Sequence, residues 1–125
     1  MKEYRMTLYN TTNAEITYNP NSNVLTQTIK GYLDSAALQA FQQELIRICR
    51  RNGISKIIAD TKKQKVLKQE DLEWMVSQVI PSLIQCKVRQ FALVMPENPF
   101  GQLAVEKFTE AAAPLKVKIF PDYKS

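Results

Sequence analysis

Apolar and polar residues alternate along the first part of the chain, which is the spacing expected of β-strands. The alternation predicts strands from Tyr4 to Tyr9, from Glu15 to Asn19 and from Val24 to Lys30. The second and third runs flank Pro20-Asn21-Ser22-Asn23, a dense cluster of turn-forming residues. Two strand-like runs around such a turn predict an antiparallel hairpin.

The apolar residues then recur at steps of three and four, which predicts the first helix. Its apolar stripe consists of Leu38, Phe41, Leu45 and Ile48. Much of the rest of its surface is polar and consists of Gln39, Gln42, Gln43 and Arg47. Asp34 or Ser35 can cap its start, because a short side-chain oxygen accepts from a free N–H of the first turn. Asn52-Gly53 supplies the left-handed exit common at helix ends.

Two short, nearly continuous apolar runs follow, and both predict buried strands. The run from Ile54 to Asp60 is typical of a strand covered on both faces. The run from Phe91 to Met95 has the same character, and Pro96 ends it. A polar, basic connection from Lys62 to Lys68 follows the first run.

Two further helices are predicted from apolar stripes. The second begins near Gln69, and its stripe consists of Leu72, Met75, Val76, Val79, Ile80 and Leu83. Pro81 lies inside this stripe and should kink or split the helix near Ser77 to Ile80, because proline removes one hydrogen bond. The third begins at Asn98-Pro99, and its inward residues are Phe100, Leu103, Ala104, Phe108 and Ala111. Pro114 stops this helix, and a last strand holds Val117, Ile119 and Phe120.

The resulting order is three strands followed by three helix–strand units. Alternating helices and strands require parallel neighbours, whereas the opening hairpin is antiparallel. The fold class is therefore α/β, with a mixed β-sheet, an N-terminal antiparallel hairpin and helices on at least one face. A chain of 125 residues is predicted to be a single domain over 1–125.

Composition excludes several kinds of chemistry. The chain has no histidine, which excludes Ser-His-Asp and Cys-His catalysis and histidine-based zinc sites. Cys49 and Cys86 lie in predicted helices among apolar neighbours and are expected to be reduced core thiols. The chain is therefore expected to be no enzyme and to need no cofactor or metal. It also lacks a P-loop and a G-x-G-x-x-G motif.

Charge and hydropathy give expectations about partners and location. The net charge of +5 permits binding to nucleic acid or anionic surfaces. A protein partner is expected, and an anionic small molecule or lipid is a possible one, which the lysines after the fourth strand could recruit. Binding of nucleic acid is not expected, since the tyrosines share neither one strand nor one face. No apolar run approaches the length of a membrane span, and no secretory signal is visible, so a cytoplasmic location is predicted. The oligomeric state is left open.

This order of elements, with these residues, resembles the SpoIIAA-like, or STAS/Sec14-type, family of small bacterial domains. The resemblance covers the chain roughly from Glu15 onward and is carried by Ile29-Lys30-Gly31-Tyr32, Lys56-Ile57-Ile58-Ala59-Asp60, Glu70-Asp71-Leu72-Glu73-Trp74-Met75 and Ala92-Leu93-Val94-Met95-Pro96-Glu97-Asn98-Pro99-Phe100. It implies a mixed sheet with helices mainly on one face. It also implies non-enzymatic work, as an anti-sigma-factor antagonist, a cytoplasmic module of an anion transporter or a ligand-binding regulatory domain.

Two features depart from that family. Its antagonists carry a phosphorylatable serine in an Asp-Ser-Ser-Gly-type motif, but this chain reads Lys68-Gln69-Glu70-Asp71-Leu72 there. The last helix of the family, which ends in a Trp-Leu pair, is expected to be missing or reduced, since this sequence stops at Ser125. The resemblance thus implies a non-catalytic regulatory or protein-interaction module without the phosphoserine switch. The alternative is a small-ligand or lipid-binding carrier domain.

The basic loop after the fourth strand is the first candidate binding surface. Its cations are Lys62, Lys63, Lys65 and Lys68. Ligands in open α/β sheets favour the carboxyl ends of strands, and helix N-termini attract anions. The competing interpretation is a solvated loop that keeps the protein soluble.

Three neighbouring residues complete the predicted surface, each with an alternative role. Asp60, together with Thr61, can bind a cation or cap a turn, and the turn is favoured because one carboxylate makes a poor metal site. Trp74 can anchor a partner or pack half-buried beside the apolar stripe.

Overall fold

The computed structural model describes residues 5–64, 67–97 and 99–120, with no side-chain description for 99, 100, 114, 119 and 120. The described residues form one mixed sheet of six strands. The strands are β1 (Met6–Asn10), β2 (Ala14–Asn19), β3 (Val24–Ile29), β4 (Lys56–Asp60), β5 (Gln90–Val94) and β6 (Val117–Phe120). The helices are α1 (Ser35–Asn52), α2 (69–85) and α3 (Pro99–Ala111), followed by a 3₁₀ turn at Ala113–Leu115. The predicted order of elements is confirmed.

The strands lie in the sheet in the same order as in the chain. β2 pairs antiparallel with both β1 and β3, whereas β3, β4, β5 and β6 are parallel neighbours. Asn19 pairs with Val24 across the turn, so the predicted hairpin is confirmed. Asn23 occupies the left-handed region with φ 57°, and its side-chain oxygen accepts from the Tyr18 hydroxyl at 2.8 Å.

All three helices pack on one face of the sheet. In this sheet each new parallel strand is added at the same edge. Right-handed connections between such strands place all of the connecting helices on the same face of the sheet. The core accordingly joins residues of every helix to one alternate set of strand residues, including Leu25, Ile57 and Phe91, which lie side by side. Ile58 of β4 points to the other face and is only half-buried. The expectation that β4 is covered on both faces is therefore wrong.

The ends of α1 match the sequence prediction, but part of its predicted polar surface is buried. Asp34 caps the start by accepting from the Ala37 N–H at 2.7 Å. Gly53 ends the helix in the left-handed conformation with φ 62°, a region that glycine enters without a Cβ penalty. Gln42, expected on the polar surface, is instead buried in the interior. It lies four residues after Leu38 and three before Leu45, and thus on the apolar side.

Pro81 changes the geometry of α2 without ending the helix. α2 consists of α-helical Gln69–Trp74, a π-helical stretch Met75–Val79 and α-helical Ile80–Gln85. Proline has no N–H and its ring clashes with the carbonyl four residues earlier, so the widened turn accommodates it. The Ile80 N–H donates to the Met75 carbonyl, five residues back. The predicted site of interruption is confirmed, and its form is a π-turn.

The inward stripe of α3 differs from the predicted one. Phe108 is buried and Ala104 half-buried as expected, but Leu103 is 57% exposed and Ala111 is also exposed. Val105, three residues before Phe108, and Ala112, four residues after it, are buried in their place. The side chain of Phe100 lies outside the described set. None of the described helices is long and apolar enough to cross a membrane.

Candidate functional site

The predicted basic loop lies at the carboxyl ends of β3, β4 and β5, and its first residues support the sheet. The Asp60 carboxylate accepts from the Lys62 N–H at 3.1 Å, which is the predicted turn geometry. Thr61 is buried, and its hydroxyl and N–H both donate to the Val94 carbonyl, at 2.6 Å and 3.3 Å. These contacts fix the end of β4 against β5.

The lysines of the loop differ in their surroundings. Lys62 is half-buried, and its carbonyl accepts from the Glu97 N–H at 3.1 Å, which ties the loop to the segment after β5. Lys63 and Lys68 are exposed, and Lys65 lies outside the described residues. The side chains of Lys63 and Lys68 are thus accessible to solvent.

Trp74 lies in α2, in the last turn before the π-helical stretch. It is half-buried and packs against the hydrophobic core. Its carbonyl accepts from the Ser77 hydroxyl at 3.3 Å. The indole therefore has a packing position in α2.

The acidic start of α2 joins two helices. Asp71 is buried, and its carboxylate accepts from the Ser35 hydroxyl at 2.7 Å. Ser35 is the first residue of α1, so this hydrogen bond ties the beginnings of α1 and α2 together. Asp71 thus has a structural contact in addition to the favourable position of an acid at a helix start.

A small cavity lies behind the loop, between the strand ends and the helices α2 and α3. This cavity, the strand-end pocket, has a volume of about 50 Å³. Its polar lining is Gln27, Gln42, Thr61 and Gln64. Its apolar walls include Leu72 and Met75 of α2, Phe91 and Leu93 of β5, and Val105 and Phe108 of α3. The pocket combines an apolar body with a few polar groups.

Two buried glutamines form one wall of the strand-end pocket. Gln42 and Gln27 are 1% and 4% exposed, and the Gln42 Nε2 donates to the Gln27 Oε1 at 3.2 Å. The Gln42 Oε1 is buried and accepts no hydrogen bond from any described group. Leaving a buried acceptor unpaired costs about 1–3 kcal/mol, so this wall is polar at the expense of stability.

This amide pair was not predicted from the sequence. Gln27 shares its strand face with Leu25 and Ile29, both buried. Gln42 lies on the apolar side of α1. The spacing of apolar residues therefore indicated burial at each position. Only the placement of α1 over β3 brings the two side chains together.

A second concave surface lies between β1 and α1. This cleft, the β1–α1 groove, has a volume of about 270 Å³. Its apolar lining comes from Met6, Leu8, Tyr18 and Ile48, and its polar lining from Glu44, Arg47, Arg51 and Asn52. The pairing of β1 with β2 shifts register between Thr7 and Tyr9, and this bulge surrounds Leu8. Met6 remains 40% exposed.

Arginines dominate the polar side of the groove. Arg47 forms a two-pronged ion pair with Glu44, one hydrogen bond of which joins Nε to Oε2 at 3.1 Å. The hydrogen bond from Arg47 is the main cause that lowers the pKa of Glu44, and Arg51 contributes through its charge. The same contact raises the pKa of Arg47. With two guanidinium groups against one carboxylate, the lining formed by the described residues carries net positive charge.

The two cysteines are free, as predicted. Cys49 is buried, and desolvation followed by the nearby Cys86 raises the pKa of its thiol to about 12. A thiol with so high a pKa is a poor nucleophile at neutral pH, because the thiolate is the reactive form. Within the described residues, no cluster of three Cys, Asp or Glu side chains could hold a metal ion.

In comparison with known proteins, the sequence matches no family model and no curated protein. The resemblance to SpoIIAA-like domains therefore stays an interpretation of the residue pattern and the order of elements.

Proposed function

We propose that this chain is a non-catalytic regulatory or protein-interaction module that binds a protein partner through the β1–α1 groove. The observation that carries the proposal is the composition of the groove. The apolar lining, here called the floor, is accessible, since Met6 is 40% exposed. The charged lining, here called the rim, includes Arg47 and Arg51. Accessible apolar surface next to arginines is typical of protein-binding sites.

The charge of the rim indicates the chemistry of the partner. Glu44 neutralises one of the two lining arginines, so a positive charge is left for the partner to meet. A complementary segment has apolar side chains for the floor and Asp or Glu side chains for the rim. Complementary charges steer association and suppress wrong partners, and the effect weakens with salt.

The alternative function is a small-ligand or lipid-binding carrier. The volume of the strand-end pocket limits the size of the ligand that it could carry there. Pockets for drug-sized ligands have about 300 Å³ or more, whereas this pocket has about 50 Å³. The alternative is therefore a carrier of a much smaller molecule.

Selection from a phage-displayed library of random peptides tests the proposal. Peptides are selected on the wild-type protein and counter-selected on the variant Arg47→Glu with Arg51→Glu. We expect enrichment of peptides that mix Asp or Glu with large apolar residues, and a loss of affinity of about 10-fold in the double variant. Failure to enrich any peptide over the double variant would overturn the proposal.

Arg50 provides the matched control. It is exposed in the same last turn of α1 but is not among the described residues that line the groove. Arg50→Glu costs the same favourable interaction with the helix dipole as Arg51→Glu. It should retain peptide binding within about 2-fold. Equal loss in the Arg50 variant would mean that general charge, and not the groove, attracts the peptides.

A further inference from the structure

The strand-end pocket contains a hydrogen-bonding group that the described chain leaves unused. The Gln42 side chain is almost completely buried, it lines the pocket, and its Oε1 accepts no hydrogen bond from the described residues. Its Nε2 already donates a hydrogen bond to Gln27 Oε1 at 3.2 Å. An apolar residue of similar size would avoid the unpaired oxygen. The presence of an amide therefore favours an occupant with a polar group.

The pocket is closed on one side by the loop between β4 and α2. It lies at the carboxyl ends of three neighbouring strands, and residues 61, 64 and 67 of the connection to α2 line it. The last torsion of a glutamine side chain is broad, so a small rotation of the amide turns Oε1 toward an occupant.

The geometry points to a small neutral aliphatic molecule, or the end of one, that donates an O–H to Gln42 Oε1. A volume of about 50 Å³ holds roughly three to five water-sized groups. The walls are mostly apolar, which favours a hydrocarbon body. A carboxylate is disfavoured, because it would bring an unpaired charge and a second acceptor against the Gln42 oxygen.

This site is independent of the β1–α1 groove, although α1 contributes to both. Gln42 lines the strand-end pocket, while Glu44, Arg47 and Arg51 line the groove. The groove variant Arg47→Glu with Arg51→Glu should therefore leave ligand binding in the pocket unchanged. Failure of one proposal does not remove the other.

Isopropanol and acetone are matched probes, because they share a carbon skeleton and only isopropanol donates a hydrogen bond. Each is titrated into the wild-type protein while the methyl resonances of Met75, Leu72 and Val105 are followed by ¹H–¹³C NMR. We expect saturable shifts with isopropanol and at least about 5-fold weaker binding of acetone. Shifts that never saturate would overturn the proposal and leave a pocket for water only. Equal binding of both probes would also overturn it, because the hydroxyl would then contribute nothing to binding.

A variant assigns the preference to the amide pair. Gln27→Leu with Gln42→Leu removes both amides together and leaves neither without its partner. This variant should bind the two probes equally. Gln43→Leu is the control, because Gln43 is exposed on the same helix, and it should keep the preference for isopropanol. A preference that survives in the double variant would exclude Gln42 as the acceptor.

Discussion

Two parts of the interior differ in how tightly their side chains pack and in whether their polar groups are hydrogen-bonded. Beneath α1, Phe41 and Leu45 pack with Ile16 and Leu25, all fully buried, and the rings of Tyr9 and Phe41 lie 5.6 Å apart. At the strand ends, the interior contains a cavity and an amide oxygen that no described group pairs. The difference indicates that the first part supplies stability and that the second gives up stability for a space that can be occupied.

The helices reflect the same difference. α1 is a regular helix with a side-chain cap at its start and a left-handed glycine at its end. α2 contains the π-helical stretch, and Met75, the first residue of that stretch, lines the strand-end pocket. π-turns are frequent at functional sites. The irregular helix thus covers the irregular part of the core.

The largest expected effect comes from truncating the well-packed part. Leu45→Ala should lower the free energy of unfolding by about 2–5 kcal/mol, because it leaves a cavity in a fully buried site. Urea denaturation followed by circular dichroism measures it. Leu103→Ala is the control and should cost less than about 0.5 kcal/mol, since Leu103 is 57% exposed. Similar costs at both positions would contradict the comparison.

Alkaline pH tests the same part of the core through Cys49. Its pKa is about 12 in the folded chain and 9.0 in the unfolded reference, so above pH 9 the unfolded chain releases a proton that the folded chain keeps. Stability should therefore fall as pH rises from 9 toward 12, by at most about 1.4 kcal/mol per pH unit. Urea midpoints of wild type and Cys49→Ala, measured between pH 8 and 11, check this. Parallel decline of the two proteins would exclude the thiol as the cause.

The Gln27–Gln42 pair tests the part of the interior at the strand ends, where packing and hydrogen bonding are incomplete. Gln42→Leu alone or Gln27→Leu alone leaves the other amide buried without its partner, and each should cost about 1–3 kcal/mol. The double substitution should lie within about 1 kcal/mol of the wild type, because it removes both polar groups together. A double-mutant cycle from urea unfolding measures the coupling. Additive losses would mean that the two side chains do not depend on each other.

The smallest effect is expected at the surface of the loop. Lys62, Lys63 and Lys65 replaced together by serine should change stability by less than about 0.5 kcal/mol, because the described contacts of the loop are made by its backbone and by Asp60 and Thr61. Thr61→Val should cost about 1 kcal/mol, because it removes the buried hydroxyl that donates to Val94. Thermal melts compare the two. A larger loss in the lysine variant would show that the lysines support the fold.

Local signals were sufficient for the order of elements. The period of apolar residues distinguishes strand from helix, and Asp34, Gly53 and Pro81 act on their immediate neighbours. The one-sided cover of β4 was missed, because a run such as Ile57-Ile58-Ala59 is apolar on both faces and does not say which face a helix reaches. The stripe of α3 was misplaced for a related reason, since two overlapping sets of apolar residues satisfy helical spacing.

The sites depended on relations between distant segments. Asp60 and Thr61 were found because they directly end a strand, but their contacts to Lys62 and Val94 are structural. The amide pair depends on how α1 lies over β3. The β1–α1 groove depends on a bulge in β1, which no turn residue marks in the sequence.

The sheet order has a consequence for how the chain is made. Each strand neighbours the one synthesised just before it, so no strand has to insert between two that are already paired. Such a sheet can extend at one edge as successive helix–strand units leave the ribosome, in keeping with the vectorial folding of growing chains.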